Sequence, residues 1–266
     1  MMGVFLMILQ LNTAVDDRSA PVKVTVENVT LPAGFCLELI YSVPRDEQGS
    51  WVALTPDDKG RLIVSDQFGS LYRVTIGEPI SETKVERLPV SIGHAQRLLY
   101  AYDSLFVSVN VYTSVQEKIA EGSALYRVLD SDGDDQFDEV KLLKRLIRGS
   151  SHGPHGLSLG PDGLICLVVG NATNLPQDAD PNSPYRGWAD DLLVPSSDTY
   201  VPGGWIARTD FSGTRWEILC GGLRNPYDIA FNEEGELFTC DADSETDIGT
   251  AWYRPTRLNH VVSAAE

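Results

Sequence analysis

Residues 156–170 read Gly156-Leu-Ser-Leu-Gly-Pro-Asp-Gly-Leu-Ile-Cys-Leu-Val-Val-Gly170. Two short apolar runs flank a Pro-Asp-Gly turn. Pro161 presets φ, Asp162 can hydrogen-bond its own backbone, and Gly163 accepts positive φ. The runs are too short and too β-branched for helices, and they predict two antiparallel strands paired across the turn. The same grammar recurs in Trp51-Val-Ala-Leu-Thr-Pro-Asp-Asp-Lys-Gly-Arg-Leu-Ile-Val-Ser65 and in Tyr227-Asp-Ile-Ala-Phe-Asn-Glu-Glu-Gly-Glu-Leu-Phe-Thr-Cys-Asp241. A degenerate copy spans Arg97 to Val109.

A second element follows several copies: Gly69-Ser-Leu-Tyr-Arg-Val-Thr75, Ser123-Ala-Leu-Tyr-Arg-Val-Leu129 and Gly204-Trp-Ile-Ala-Arg-Thr-Asp210. Each is a short strand with Arg at its fifth position. Together the pieces predict four-stranded antiparallel blades repeated around an axis, an all-β propeller. A β-sandwich with accidental turn similarity explains the repeat less well. About four copies are legible, at the lower end of the roughly 4–8 blades that close a propeller. The chain ends soon after a strand-like run, Arg257 to Ser263. The expectation is therefore a propeller domain over residues 21–266, incomplete at its C-terminus and drawn from roughly six blades. Asn171 to Pro202, rich in Pro, Asp, Asn and Ser, lacks the blade period and is expected to be an inserted loop over one face.

The chain has 266 residues, with 21 Lys plus Arg against 38 Asp plus Glu, a formal charge of -17. Such a surface repels phosphate backbones and argues against a nucleic-acid partner. Four cysteines form no CxxC or CxxCH pattern, which argues against a zinc ribbon or c-type haem within the chain. Cys166 and Cys240 read as core residues, while Cys36 and Cys220 are candidates for pairing in an oxidising compartment. Val4 to Leu11 is a short apolar run resembling the core of a secretory signal, although no Lys or Arg precedes it. Residues 1–20 are accordingly expected to be a signal segment, with a periplasmic or extracellular destination. No other segment is apolar enough to span a bilayer.

Leu31-Pro-Ala-Gly-Phe, Gly49-Ser-Trp-Val-Ala-Leu, His152-Gly-Pro-His-Gly-Leu-Ser-Leu-Gly-Pro-Asp-Gly163, Gly222-Leu-Arg-Asn-Pro226 and Trp252-Tyr-Arg-Pro-Thr-Arg257 resemble the membrane-bound dehydrogenase propeller family. That family is similar to soluble glucose/sorbosone dehydrogenases that use pyrroloquinoline quinone (PQQ). The resemblance runs from about Val29 to the end of the chain. It implies an oxidoreductase with PQQ and calcium at the propeller axis, oxidising a sugar or other alcohol. Larger members often carry a c-type haem domain, so the implied electron acceptor is a c-type cytochrome.

By this resemblance His152 is the candidate general base on the substrate hydroxyl, a role that suits an imidazole titrating near neutral pH. His155 would position substrate or ligate a metal. The sugar enzymes have Gly-Arg-Leu where this chain has His155-Gly156-Leu157, so an arginine contact is missing. Arg224 and Asn225 match residues facing the cofactor, where a guanidinium fork and an amide suit quinone and carboxylate oxygens. Asp241-Ala-Asp-Ser-Glu-Thr-Asp247 is dense in carboxylates, and Asp241 and Asp243 are candidate calcium ligands or supports for one. Asp130-Ser-Asp-Gly-Asp-Asp-Gln-Phe-Asp138 alternates oxygen ligands as calcium loops do. It is not an EF-hand, since Asp135 stands at position 6 and no Glu at position 12. Asp130, Asp132, Asp134 and Asp138 are the expected ligands of a structural calcium.

There is no GxSxG elbow, P-loop, HExxH or GxGxxG pattern, which argues against a serine hydrolase and a nicotinamide dehydrogenase. Two readings stay open: a quinone-dependent oxidoreductase, and a non-catalytic propeller that binds protein or carbohydrate.

Overall fold

The computed structural model describes residues 5–11, 32, 34–111, 122–146, 151–185, 203–242, 246–247, 250–251 and 256–264. Strand β1 (Phe5–Leu11) pairs antiparallel with β2 (Phe35–Ser42), and one helical turn, α1 (Arg45–Gln48), leads to the first blade. That blade is the sheet of β3 (Trp51–Pro56), β4 (Leu62–Asp66), β5 (Leu71–Thr75) and β6 (Lys84–Arg87). The second holds β7 (Ala95–Ala101), β8 (Ser104–Val109), β9 (Ala124–Leu129) and β10 (Glu139–Arg145). The third holds β11 (Pro154–Leu159), β12 (Ile165–Val169), β13 (Gly204–Thr209) and β14 (Trp216–Leu223). The fourth joins β15 (Pro226–Phe231), β16 (Leu237–Asp241) and, after a small hairpin of β17 (Thr246–Asp247) and β18 (Thr250–Ala251), β19 (Arg257–Val261).

All pairings are antiparallel, and the four sheets are arranged as a β-propeller. The first strands line up in chain order, β3 beside β7, β7 beside β11, β11 beside β15. They run the same way: Ser65 Oγ at the end of β4 donates to the Ala95 carbonyl at the start of β7, and the Tyr100 amide donates to Thr55 Oγ1. Every loop leading into a first strand therefore lies at one end of the propeller, here the upper end. The turns joining first to second strands lie at the lower end.

Burial follows the radial plan. The second strands β8 (SLFVSV) and β12 (ICLVV) are buried at every position, as expected for strands covered on both faces. The outermost strands β6 (KVER) and β10 (EVKLLKR) are charged and have no buried position, which discourages edge pairing. The core lies between blades. Ile63 and Leu71 meet Leu98 and Val107, Phe106 and Leu125 meet Leu167 and Trp205, and Val168 and Ile206 meet Ile229 and Leu237.

The lower turns bear out the repeat. Gly60, Gly163 and Gly235 each take positive φ (75°, 77°, 81°). The degenerate second blade turns on Tyr102 and Asp103, both at positive φ, a two-residue hairpin made without glycine.

One sequence expectation needs correction. Cys240 is exposed, not in the core, because its side chain falls on the outward face of β16, whereas Cys166 and Cys220 are free and buried. Burial pushes both of those thiols up to about 12. The inserted loop begins at the upper end, where the Asn171 and Ala172 amides reach the Arg224 and His152 carbonyls, and its described part then runs along the side of the third blade. Asp180 and Tyr185 donate their amides to the Trp216 and Ile218 carbonyls, extending the outer edge of the third blade.

Candidate functional site

At the upper end the ladder slips in the same place in every blade. The register shifts between Trp51 and Ala53, Ala95 and Arg97, Pro154 and Leu157, and Pro226 and Ile229. A bulge re-aims the side chains around it, so each first strand begins with residues turned out of the regular alternation. His155 stands within one of these shifts, and Asn225 immediately precedes another.

His155 is on β11 and buried; its Nε2 lies 3.0 Å from Asn225 Oδ1, contributed by the loop before β15. The carboxamide oxygen can only accept, so Nε2 carries the proton and the lone pair sits on Nδ1. That Nδ1 is buried and without a hydrogen-bond partner. Burial pushes the imidazole below its ordinary pKa, and the Asn225 bond works against that shift. The ring leans on Tyr227 at 5.2 Å between centroids.

His152 lies half-buried in the turn before β11, its Nδ1 2.8 Å from Asn171 Oδ1. The same logic leaves the basic lone pair on Nε2. Asn171 also donates its amide to the Arg224 carbonyl at 2.8 Å, while the Ala172 amide reaches the His152 carbonyl at 3.1 Å. One asparagine thus ties the histidine turn of the third blade to the Arg224-Asn225 loop leading into the fourth. Gly170 makes this approach feasible: a Cβ there would sit 2.5 Å from the His152 carbonyl oxygen and 2.6 Å from Asn225 Oδ1.

Asp241 anchors the second loop from below. Fully buried at the end of β16, it accepts the Arg224 amide (2.9 Å) and the Asn225 amide (2.7 Å). Arg257 approaches at 3.7 Å. Asp66, at the matching end of β4, does the same for the Ser50 amide at 2.7 Å. The expectation of a calcium-binding Asp241 thus meets a carboxylate whose oxygens already hold backbone donors. Asp243 lies outside the described residues.

Three functional candidates escaped the sequence reading. Asn171 sits at the start of a polar loop with nothing local to mark it. Asp66 ends a strand and reads as a turn residue. His94 precedes β7 as the His152 turn precedes β11, and Gly93-His94 was the available signal. It is buried, holds a left-handed backbone at φ 52°, and leaves Nδ1 without a partner. Burial lowers its pKa, with nearby Asp66 opposing. A non-glycine residue in that conformation is strained and is enriched at functional sites.

The acidic turn Asp130–Asp138 lies at the lower end, away from the histidines. Asp130, Asp132 and Asp134 can bring one oxygen each within 4.8 Å of the others. Asp138 faces elsewhere, accepting from the Ser131 amide (2.8 Å) and hydroxyl (2.6 Å). Asp130 accepts the amides of Gly133 and Asp135, both at 2.8 Å. Asp135 grips both Arg61 Nη groups at 2.6 and 2.8 Å, and Arg61 Nε reaches Asp57 at 2.7 Å, joining the first two blades. The Arg61 and Lys59 bonds hold the Asp135 carboxyl well below the usual carboxylate range.

No family model matches the chain, and no curated protein does. Among solved structures it is similar to two glucose dehydrogenases, at 15% identity with a TM-score of 0.53 and at 16% with 0.52, each over 80% of this chain. It is also similar to a Thermus thermophilus protein described as a glucose dehydrogenase, at 19% identity and TM-score 0.50 over 79% of this chain. The chain spans 61–65% of the length of these structures. At such identities the likeness is one of fold. Among the described residues no helix is long and apolar enough to cross a membrane.

Proposed function

We propose that the chain is an exported oxidoreductase-like propeller that oxidises a sugar or other alcohol with PQQ and calcium. One observation carries the reading: two histidines, each fixed in a single tautomer by an asparagine, converge at the upper end with the Arg224-Asn225 loop. The residues fit a planar quinone bearing carboxylates. His155 leaves a buried nitrogen unsatisfied beside the ring of Tyr227, and such a group calls for a ligand or water. Arg224 and Asn225 would hold the cofactor, and PQQ, when bound, supplies the hydride acceptor.

The remaining chemistry belongs to the chain. His152 takes the proton of the substrate hydroxyl at Nε2, with Asn171 fixing the ring and its tautomer. His155, its pKa lowered by burial, would hold the Asn225 carboxamide through Nε2 and so position the Arg224-Asn225 loop. Calcium would be structural at Asp130, Asp132 and Asp134. A c-type cytochrome as electron acceptor and a periplasmic or extracellular location complete the proposal.

The test is dye-linked oxidation of a sugar panel by the full chain supplied with PQQ and calcium. His152→Ala is expected to lower turnover by about 10²-fold or more while leaving the melting temperature within a few degrees. Equal activity in wild type and variant would defeat the assignment. Stoichiometric sugar binding with no oxidation would favour a carbohydrate-binding module instead.

A further inference from the structure

Arg97, Gly156 and Asp228 stand third on the first strands of the second, third and fourth blades. Two of them meet. Arg97 Nη1 of the second blade lies 2.9 Å from Asp228 Oδ2 of the fourth. They reach each other across Gly156 of the third blade. A Cβ on Gly156 would sit 2.9 Å from the Asp228 Cα and 3.0 Å from its Oδ1, so a side chain there would displace the pair.

The pair is poised for a ligand. Its side chains keep 35% and 42% of their exposure, and Arg97 Nε is buried without an acceptor. Asp228 follows Tyr227, whose ring packs on His155, and Gly156, over which the pair closes, follows His155 on β11. We propose that Arg97 and Asp228 form a clamp for adjacent hydroxyls of a neutral sugar or polyol. The guanidinium donates to one hydroxyl oxygen while the carboxylate accepts from the next, an arrangement these two groups supply together. Because the pair has no net charge, it favours a neutral ligand. A carboxylate-bearing sugar would have to displace Asp228 from Arg97.

The clamp deepens the oxidoreductase reading by naming its substrate class, yet it is testable without the quinone. Calorimetric titrations of the full chain with D-glucose and with D-glucuronate read it directly. Wild type is expected to bind glucose more tightly. Asp228→Asn, which frees the guanidinium, is expected to weaken glucose at least tenfold and to reverse the preference toward glucuronate. Arg97→Lys keeps the charge but loses the fork, and is expected to weaken glucose at least tenfold with an unchanged circular dichroism spectrum; it carries the test if Asp228→Asn unfolds. Glucose affinity unchanged in Arg97→Lys, a wild-type preference for glucuronate, or no wild-type binding of glucose would each overturn the clamp. Sugar discrimination that follows the variants without any oxidation supports the clamp and removes the oxidoreductase reading alone.

Discussion

The two ends of the propeller use polar residues to opposite effect. At the lower end the carboxylates of Asp130, Asp134 and Asp138 are taken up by neighbouring amides and hydroxyls of their own turn. Charge density there is turn chemistry, reinforced by the Arg61 fork on Asp135. At the upper end the polar groups are sparse in sequence but drawn from three blades, and some stay buried and unsatisfied, as at His94 and His155. A turn that satisfies itself spends its hydrogen bonds on stability. A cluster that leaves them open retains binding capacity. In this chain the conspicuous acidic run is therefore the weaker pointer to chemistry, and the inconspicuous asparagines are the stronger one.

The largest expected effect breaks the upper end from beneath. Asp241→Ala strips the charged acceptor from two loop amides at a fully buried site. It should cost about 3 kcal/mol or more, measured as a shift in the urea midpoint. Asp66→Ala, which releases the Ser50 amide, should cost about half as much. Equal costs would mean that the fourth-blade loop is no more dependent on its buried aspartate than the first.

An intermediate effect sharpens the contrast through pH. His94 and His155 have folded pKa values below the ordinary value of about 6.5, chiefly through burial. Below about pH 6.5 the unfolded chain therefore binds protons that the folded chain refuses, so stability falls with pH down to the folded values. Each group contributes at most about 1.4 kcal/mol per pH unit in that window. Asp135 and Asp210, with folded values below the carboxylate norm, hold stability that is lost only below about pH 4. Denaturant titrations at pH 7, 6 and 5 should show the first slope, and His155→Gln with His94→Gln should flatten it. A slope unchanged in that double variant would place its origin elsewhere.

The smallest effect belongs to the lower end. Calcium at about ten times its dissociation constant should add about 1.4 kcal/mol, read as a rise of a few degrees in melting temperature. Asp132→Asn with Asp134→Asn should abolish the rise without lowering the metal-free melting temperature by more than about a degree, because the amides supporting the turn answer mainly to Asp130. A large loss without calcium would show that the turn is not self-sufficient.

Much of the fold was legible because its causes are local. The alternation of apolar runs with Pro-Asp-Gly or Asn-Glu-Glu-Gly identified the hairpins, and their recurrence identified the blades. The second blade was the hardest to read, since Tyr102 and Asp103 adopt by tertiary support what glycine adopts unaided. At the site, His152, His155, Arg224 and Asn225 could be named because they carry the family resemblance. Asn171, His94 and the Arg97–Asp228 pair could not, because what surrounds them is brought together by the tertiary fold and no spacing along the chain encodes it.

What the sequence determined alone is the strand-and-turn repeat, since φ preferences, side-chain alternation and turn hydrogen bonding act within a few residues. Tertiary structure decided which polar groups meet. The bulges at the start of each first strand and the parallel alignment of those strands set distances between residues far apart in the chain. Close packing at Gly156 and Gly170 then turned those distances into contacts.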